Sequence, residues 1–126
     1  MKNLTRIICL TLAVLLSGAG TSWGADYQKG VFAAQSGDYA TALREWRPLA
    51  EQGVADAQYN LGWMYYKGQG VPQDYVYAHM WRNVVAFNGY ETGDLRDEVA
   101  KEMTAAQIEK AEQLAQECVR KEYKGC

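Results

Sequence analysis

From Ala57 to Gly89 the chain reads AQYNLGWMYYKGQGVPQDYVYAHMWRNVVAFNG, two helical stripes on either side of a glycine-rich turn. Ala57, Leu61, Gly62 and Tyr65 recur at helical spacing and make one apolar face. Gly68, Gly70 and Pro72 then break the pattern, because a proline removes a backbone donor and clashes inside a helix. A second stripe follows in Tyr75, Ala78, Trp81, Val85 and Ala86. Two helices joined by a short loop pack antiparallel, so this stretch predicts an αα-hairpin. Strand-like alternation is missing from it.

The second stripe has a precedent earlier in the chain. Asp38, Tyr39, Ala42, Ala50 and Gly53 each have an identical residue 36 positions on, at Asp74, Tyr75, Ala78, Ala86 and Gly89. GDYATALREWRPLAEQG and QDYVYAHMWRNVVAFNG therefore read as two copies of one helix, each opened by an Asp-Tyr pair and closed by a glycine. A period in the mid-thirties is a mark of solenoids built from stacked helix pairs.

The N-terminus has the layout of a secretory leader. Lys2 and Arg6 precede an apolar run from Ile7 to Leu16, followed by small residues up to Ser22. The run is too short to span a bilayer, which takes about 20 apolar residues. Cleavage after Gly24 puts Ser22 and Gly24 at the small positions that the peptidase reads, so residues 1–24 are expected to be a signal peptide. The mature chain is then periplasmic or secreted, with no membrane span. The sequence holds 13 Lys and Arg against 15 Asp and Glu, and the leader takes two of the cations with it. An acidic chain with no basic stripe argues against a nucleic-acid partner.

The remaining elements follow in order. Asp26 to Ser36 is a short helix candidate, and Asp38 suits the N-cap of the next, which runs to about Gln52. Pro48 inside that helix predicts a bend or a split. Beyond Gly89, Glu91 to Met103 reads as a short charged helix with Leu95, Val99 and Met103 in one stripe. Thr104 and Gln107 form a capping box that starts the last helix, whose apolar side is Ile108, Ala111, Leu114, Ala115 and Cys118. An outer face of Gln, Glu and Lys suits a terminal cap.

These residues carry a family likeness. Ala57, Leu61, Gly62, Tyr65, Gly68, Gly70, Val71, Asp74, Ala78, Trp81, Ala86 and Gly89 spell a long motif that resembles the Sel-one-like repeat (SLR), a relative of the tetratricopeptide repeat (TPR). The resemblance covers nearly all of Tyr27 to Glu117. It implies an all-α fold, a short right-handed α/α solenoid of about six helices in TPR/SLR-like hairpins with a C-terminal capping hairpin. The expected divisions are a degenerate half-repeat over 25–53, a full repeat over 54–89 and a helical cap over 90–126.

Candidate chemistry is sparse. Cys118 and Cys126 are the mature cysteines, and an even count in an oxidising compartment points to a bridge, with a link to another molecule as the alternative. Similar cysteine pairs occur in cysteine-rich SLR proteins. A lone His and no C-x2-C leave no metal-site pattern, and no cofactor motif is present. His79, on a repeat helix, reads as a partly exposed packing or surface residue rather than a catalyst. Neither S-x-x-K nor G-x-S-x-G occurs, and the acidic clusters around Asp97 and Glu109 read as solvated faces, so no catalytic residue is assigned.

One site expectation remains. In SLR and TPR solenoids the first helix of each pair lines the concave side. Asn60, Trp63 and Lys67 lie away from the Ala57–Leu61–Tyr65 stripe and would offer an amide, an indole and an ammonium to an extended peptide. The alternative is that Trp63 packs on the preceding hairpin. The expected function is non-catalytic protein–protein interaction, as an adaptor or scaffold of an envelope complex. The alternatives are a cell-wall hydrolase-like activity, as suggested for cysteine-rich relatives, or a secreted effector that binds host proteins. The partner is a protein or peptide, and a second copy of the chain is a candidate to cover an open solenoid end.

Overall fold

The computed structural model of the chain describes residues 24–91, 93 and 95–126. Apart from Gly24, the expected leader lies outside the described residues. Among the described residues there are six helices and no strand: α1 (Tyr27–Gln35), α2 (Tyr39–Glu51), α3 (Ala55–Lys67), α4 (Tyr75–Phe87), α5 (Leu95–Lys101) and α6 (Ala105–Arg120).

The repeat seen in the sequence is a repeat in space. α2 and α4 are both 13 residues long, and each is capped by its aspartate. The Asp38 carboxylate accepts from the Thr41 N–H at 3.1 Å, and that of Asp74 from the Tyr77 N–H at 3.0 Å. Gly53 and Gly89 close the two helices with φ of +88° and +81°, a backbone region that residues with a Cβ avoid. α2 passes through Pro48 without splitting. Pro48 sits in the last turn, and both it and Arg44, whose carbonyl loses its helical donor, are exposed residues. α5 is shorter than expected, because the chain is still in a turn at Gly93 and the Thr104 cap already begins α6. Its stripe holds: Leu95 and Val99 are buried and Met103 packs on them.

α4 is the centre of the molecule. Every residue from Ala78 to Val85 is buried, as expected of a helix covered on all sides. α3, α5 and α6 pack on it, and α2 lies between α1 and α3. α5 and α6 lay their main packing on α4 rather than on each other.

The α1–α2 and α3–α4 hairpins are closed by the same kind of lock. A Cβ on Gly30 of α1 would collide with the Trp46 indole of α2. A Cβ on Gly62 of α3 would come within 2.8 Å of Cδ and 3.2 Å of Cγ of Arg82 on α4. Each large side chain then meets a tyrosine of the first helix. The Trp46 ring lies 6.0 Å from that of Tyr27, and its Nε1 donates to the Tyr27 carbonyl at 3.2 Å. The Arg82 guanidinium lies 3.6 Å from the centre of the Tyr59 ring, and Arg82 is 0% exposed. A cation so desolvated over an aromatic face gains about 2 kcal/mol or more from it.

Two further ties fix the stack. The Gln58 amide donates to the Ala50 carbonyl at 3.0 Å, satisfying an end group of α2 from α3. Cys118 and Cys126 form an intrachain disulfide with Cα atoms 5.6 Å apart. The closed tail folds back over the ends of α2 and α4: the Tyr123 hydroxyl donates to Oδ1 of Asn88, the C-cap of α4, at 2.8 Å, and Lys124 Nζ to the Glu51 carbonyl of α2 at 3.1 Å.

Gly62→Ala tests the lock. Helix propensity alone favours alanine by about 1 kcal/mol. The collision with the Arg82 stem reverses the sign, and urea unfolding is expected to show a net loss of about 1–3 kcal/mol. A variant as stable as the parent would mean that Arg82 does not depend on this gap.

Candidate functional site

A groove of about 230 Å³ runs between the first hairpin and α3. Ala34 of α1 and Tyr39 and Trp46 of α2 form one wall; Asn60, Trp63, Met64 and Lys67 of α3 form the other, with Gln69 of the α3–α4 loop at one end. All three residues singled out from sequence line this one groove.

Their positions are held by neighbours. The Asn60 amide nitrogen donates to the Tyr27 hydroxyl at 3.1 Å, which ties α3 to the start of α1. Gln69 does the same to the Tyr39 hydroxyl at 3.1 Å, which ties the loop to the start of α2. Trp63 is half-buried, packs against the second core cluster of Ala78, Leu95 and Val99, and faces Ala34, Tyr39 and Trp46 across the groove. Its ring meets Tyr66 edge-on at 5.9 Å, and the Lys67 ammonium lies 5.0 Å from its centroid. The indole N–H of Trp63 and, after it, the Arg82 guanidinium hold the Tyr59 phenol below its ordinary pKa. Trp63 is thus coupled through Tyr59 to the lock that closes the second hairpin.

Tyr39, Trp46 and Gln69 received no site role from the sequence. They complete the groove because α2 stacks on α3, a long-range contact that helical periodicity does not report. The exposed aromatics Phe32, Phe87 and Tyr90 do not line it.

His79 departs from the expectation. It is 4% exposed rather than partly open to solvent, because α5 and α6 cover that side of α4. Its Nδ1 accepts from the Asn83 amide at 2.8 Å. Burial pushes the imidazole below its ordinary pKa; Glu112 and Asp97 oppose that shift and Arg96 adds to it. A neutral imidazole hydrogen-bonded inside the fold is a packing group. Among the described residues no group of three or more His, Cys, Asp or Glu side chains is placed to hold a metal ion, and no helix is long and apolar enough to cross a membrane.

The fold defines a class, stacked α/α hairpins, with a groove between the first hairpin and α3. Residues 55–81, spanning α3, its loop and half of α4, match the Sel1 repeat, so the chain carries a Sel1-like repeat. It is similar to a crystal structure of a protective antigen present in uropathogenic Escherichia coli strains and displaying an SLR fold, with 31% identity and a TM-score of 0.66. The match covers 77% of this chain and 23% of that one, so this chain spans about a quarter of that protein's length. Among curated proteins none matches it.

The buried imidazole gives a pH dependence whose sign is fixed. With the folded pKa depressed, the unfolded chain binds more protons below its own value of about 6.5. Stability from this group is complete above that value and is lost as pH falls through the folded pKa. The melting temperature is expected to drop between about pH 7.5 and about pH 5, and to drop less in His79→Gln, which keeps a polar side chain but does not titrate. Equal slopes in the two proteins would contradict this.

Proposed function

We propose that the chain is a non-catalytic adaptor or scaffold subunit that docks an extended protein segment in the groove between its first hairpin and α3, working in the periplasm or outside the cell. The observation that carries this reading is Trp63. It is a half-buried indole, braced by Tyr66 and Lys67 and lining a groove walled by two further aromatic side chains. Tryptophans held in this way dominate binding energies when a partner covers them, since little order is lost on docking. The repeat fold supports a protein partner, and the disulfide supports an oxidising compartment.

The reading is tested with peptides selected from a random display library on the mature chain. Trp63→Ala is expected to weaken capture of the selected peptides by about 2 kcal/mol, roughly thirtyfold, while still melting cooperatively. Gln113→Ala, on α6 and outside the groove, is the control and is expected to leave capture unchanged. Peptides that bind Trp63→Ala as well as the parent would refute the groove as the docking surface. Collapse of cooperative melting in Trp63→Ala would show the indole to be a packing residue instead.

A further inference from the structure

The same groove carries information about what it holds. The inference rests on the docking reading above and specifies the partner's chemistry. We propose that the groove takes an extended acidic segment, in which one apolar side chain enters between Trp46, Trp63 and Met64 and an Asp or Glu one or two residues along meets the Lys67 ammonium.

Size comes first. At about 230 Å³ the groove is smaller than the roughly 300 Å³ at which small-molecule sites begin. It suits a single side chain rather than a cofactor or metabolite. Its walls are Ala34, Met64, Trp46, Tyr39 and Trp63, so that side chain is apolar.

Charge comes next. Lys67 is the single charged residue among those that line the groove, and it stands in a chain whose acidic residues outnumber its lysines and arginines. The net charge of such a chain weakly opposes an acidic segment, and a cation at the groove offsets that locally. The Lys67 side chain is exposed, and its ammonium lies 5.0 Å from the Trp63 ring centre, a contact that favours its position at the groove. Among the described residues no carboxylate lies within ion-pairing distance of it.

The spacing agrees. An extended chain advances about 3.3 Å per residue, so a carboxylate one or two residues from the anchor spans the 5.0 Å between the indole centre and the ammonium. The backbone also has partners. Asn60 and Gln69 commit their amide nitrogens to tyrosine hydroxyls, so it is their carbonyl ends that would accept from peptide N–H groups.

The test uses fluorescence anisotropy with four labelled, C-terminally amidated peptides of one length: apolar-acidic, apolar with Asn and Gln in place of the acids, apolar-basic, and acidic with glycine in place of the apolar residue. A fifth carries the amide sequence with a free C-terminus. The parent, Lys67→Gln, Lys67→Glu and Trp63→Ala are compared, each checked by thermal melting. The apolar-acidic peptide is expected to bind the parent about fivefold tighter than the amide peptide, as one rim ion pair allows. That preference should vanish in Lys67→Gln and invert in Lys67→Glu, and it should shrink as salt is raised. Equal affinity for the acidic and amide peptides, or a preference that survives both Lys67 variants, would overturn the proposal. So would tighter binding of the glycine-acidic peptide, or of the free-terminus peptide, than of the apolar-acidic one. In those cases any binding that still depends on Trp63 leaves the docking reading standing; if no peptide depends on Trp63, both fall.

Discussion

The structure depends on one steric constraint used twice: a first helix with a glycine where a large side chain from the second helix must lie. Gly30 receives Trp46, and Gly62 receives Arg82. In each case a tyrosine three residues before the glycine supplies the partner, Tyr27 for the indole and Tyr59 for the guanidinium. The two keys stand at equivalent positions of the repeat, yet one is a neutral ring and the other a cation. The lock is therefore set by the space and the aromatic partner, not by the identity of the side chain that fills it. Close helix approach and a dense core follow from it.

The groove is a by-product of stacking two such hairpins. The first turns over residues 36–38 and the second over the longer stretch 68–74. Gln69 reaches back from that loop to Tyr39, and a Cβ on Gly70 would stand 2.9 Å from the Tyr39 carbonyl, so the loop lies directly on the start of α2. The walls are held by side chains that also hold the fold together. Trp46 is half of the first lock, and Trp63 touches Tyr59 of the second. A surface built on locked residues loses little entropy when a partner orders it further. That suits a docking surface better than a mobile loop would.

Much of this was legible in the sequence because it is local. The caps at Asp38, Asp74 and Thr104, the closing glycines and the stripes along α3, α4 and α6 follow from spacing and backbone chemistry within a few residues. The offset between α2 and α4 was equally plain, since identical residues recur in register. The lock was not legible. Tyr27 and Gly30 stand 32 residues before Tyr59 and Gly62, whereas the second helices are offset by 36, so the unequal loops hide the match. The exposure of His79 was misjudged for a similar reason: whether α5 and α6 cover that side of α4 is a tertiary fact. At the site, the α3 wall was readable as residues left over from the core stripe. The α2 wall was not, because Tyr39 and Trp46 look like ordinary core residues until α2 is set against α3.

The account's central claim is that the working surface of this protein lies between α1, α2 and α3, and that α4, α5 and α6 serve to hold it. Amide chemical-shift mapping of the mature chain, titrated with a peptide selected for binding, tests this most directly. The account predicts shifts concentrated at Ala34, Tyr39, Asn60, Trp63, Lys67 and Gln69, with α6 unmoved. Shifts concentrated on the outer face of α6, or spread evenly over the chain, would contradict it.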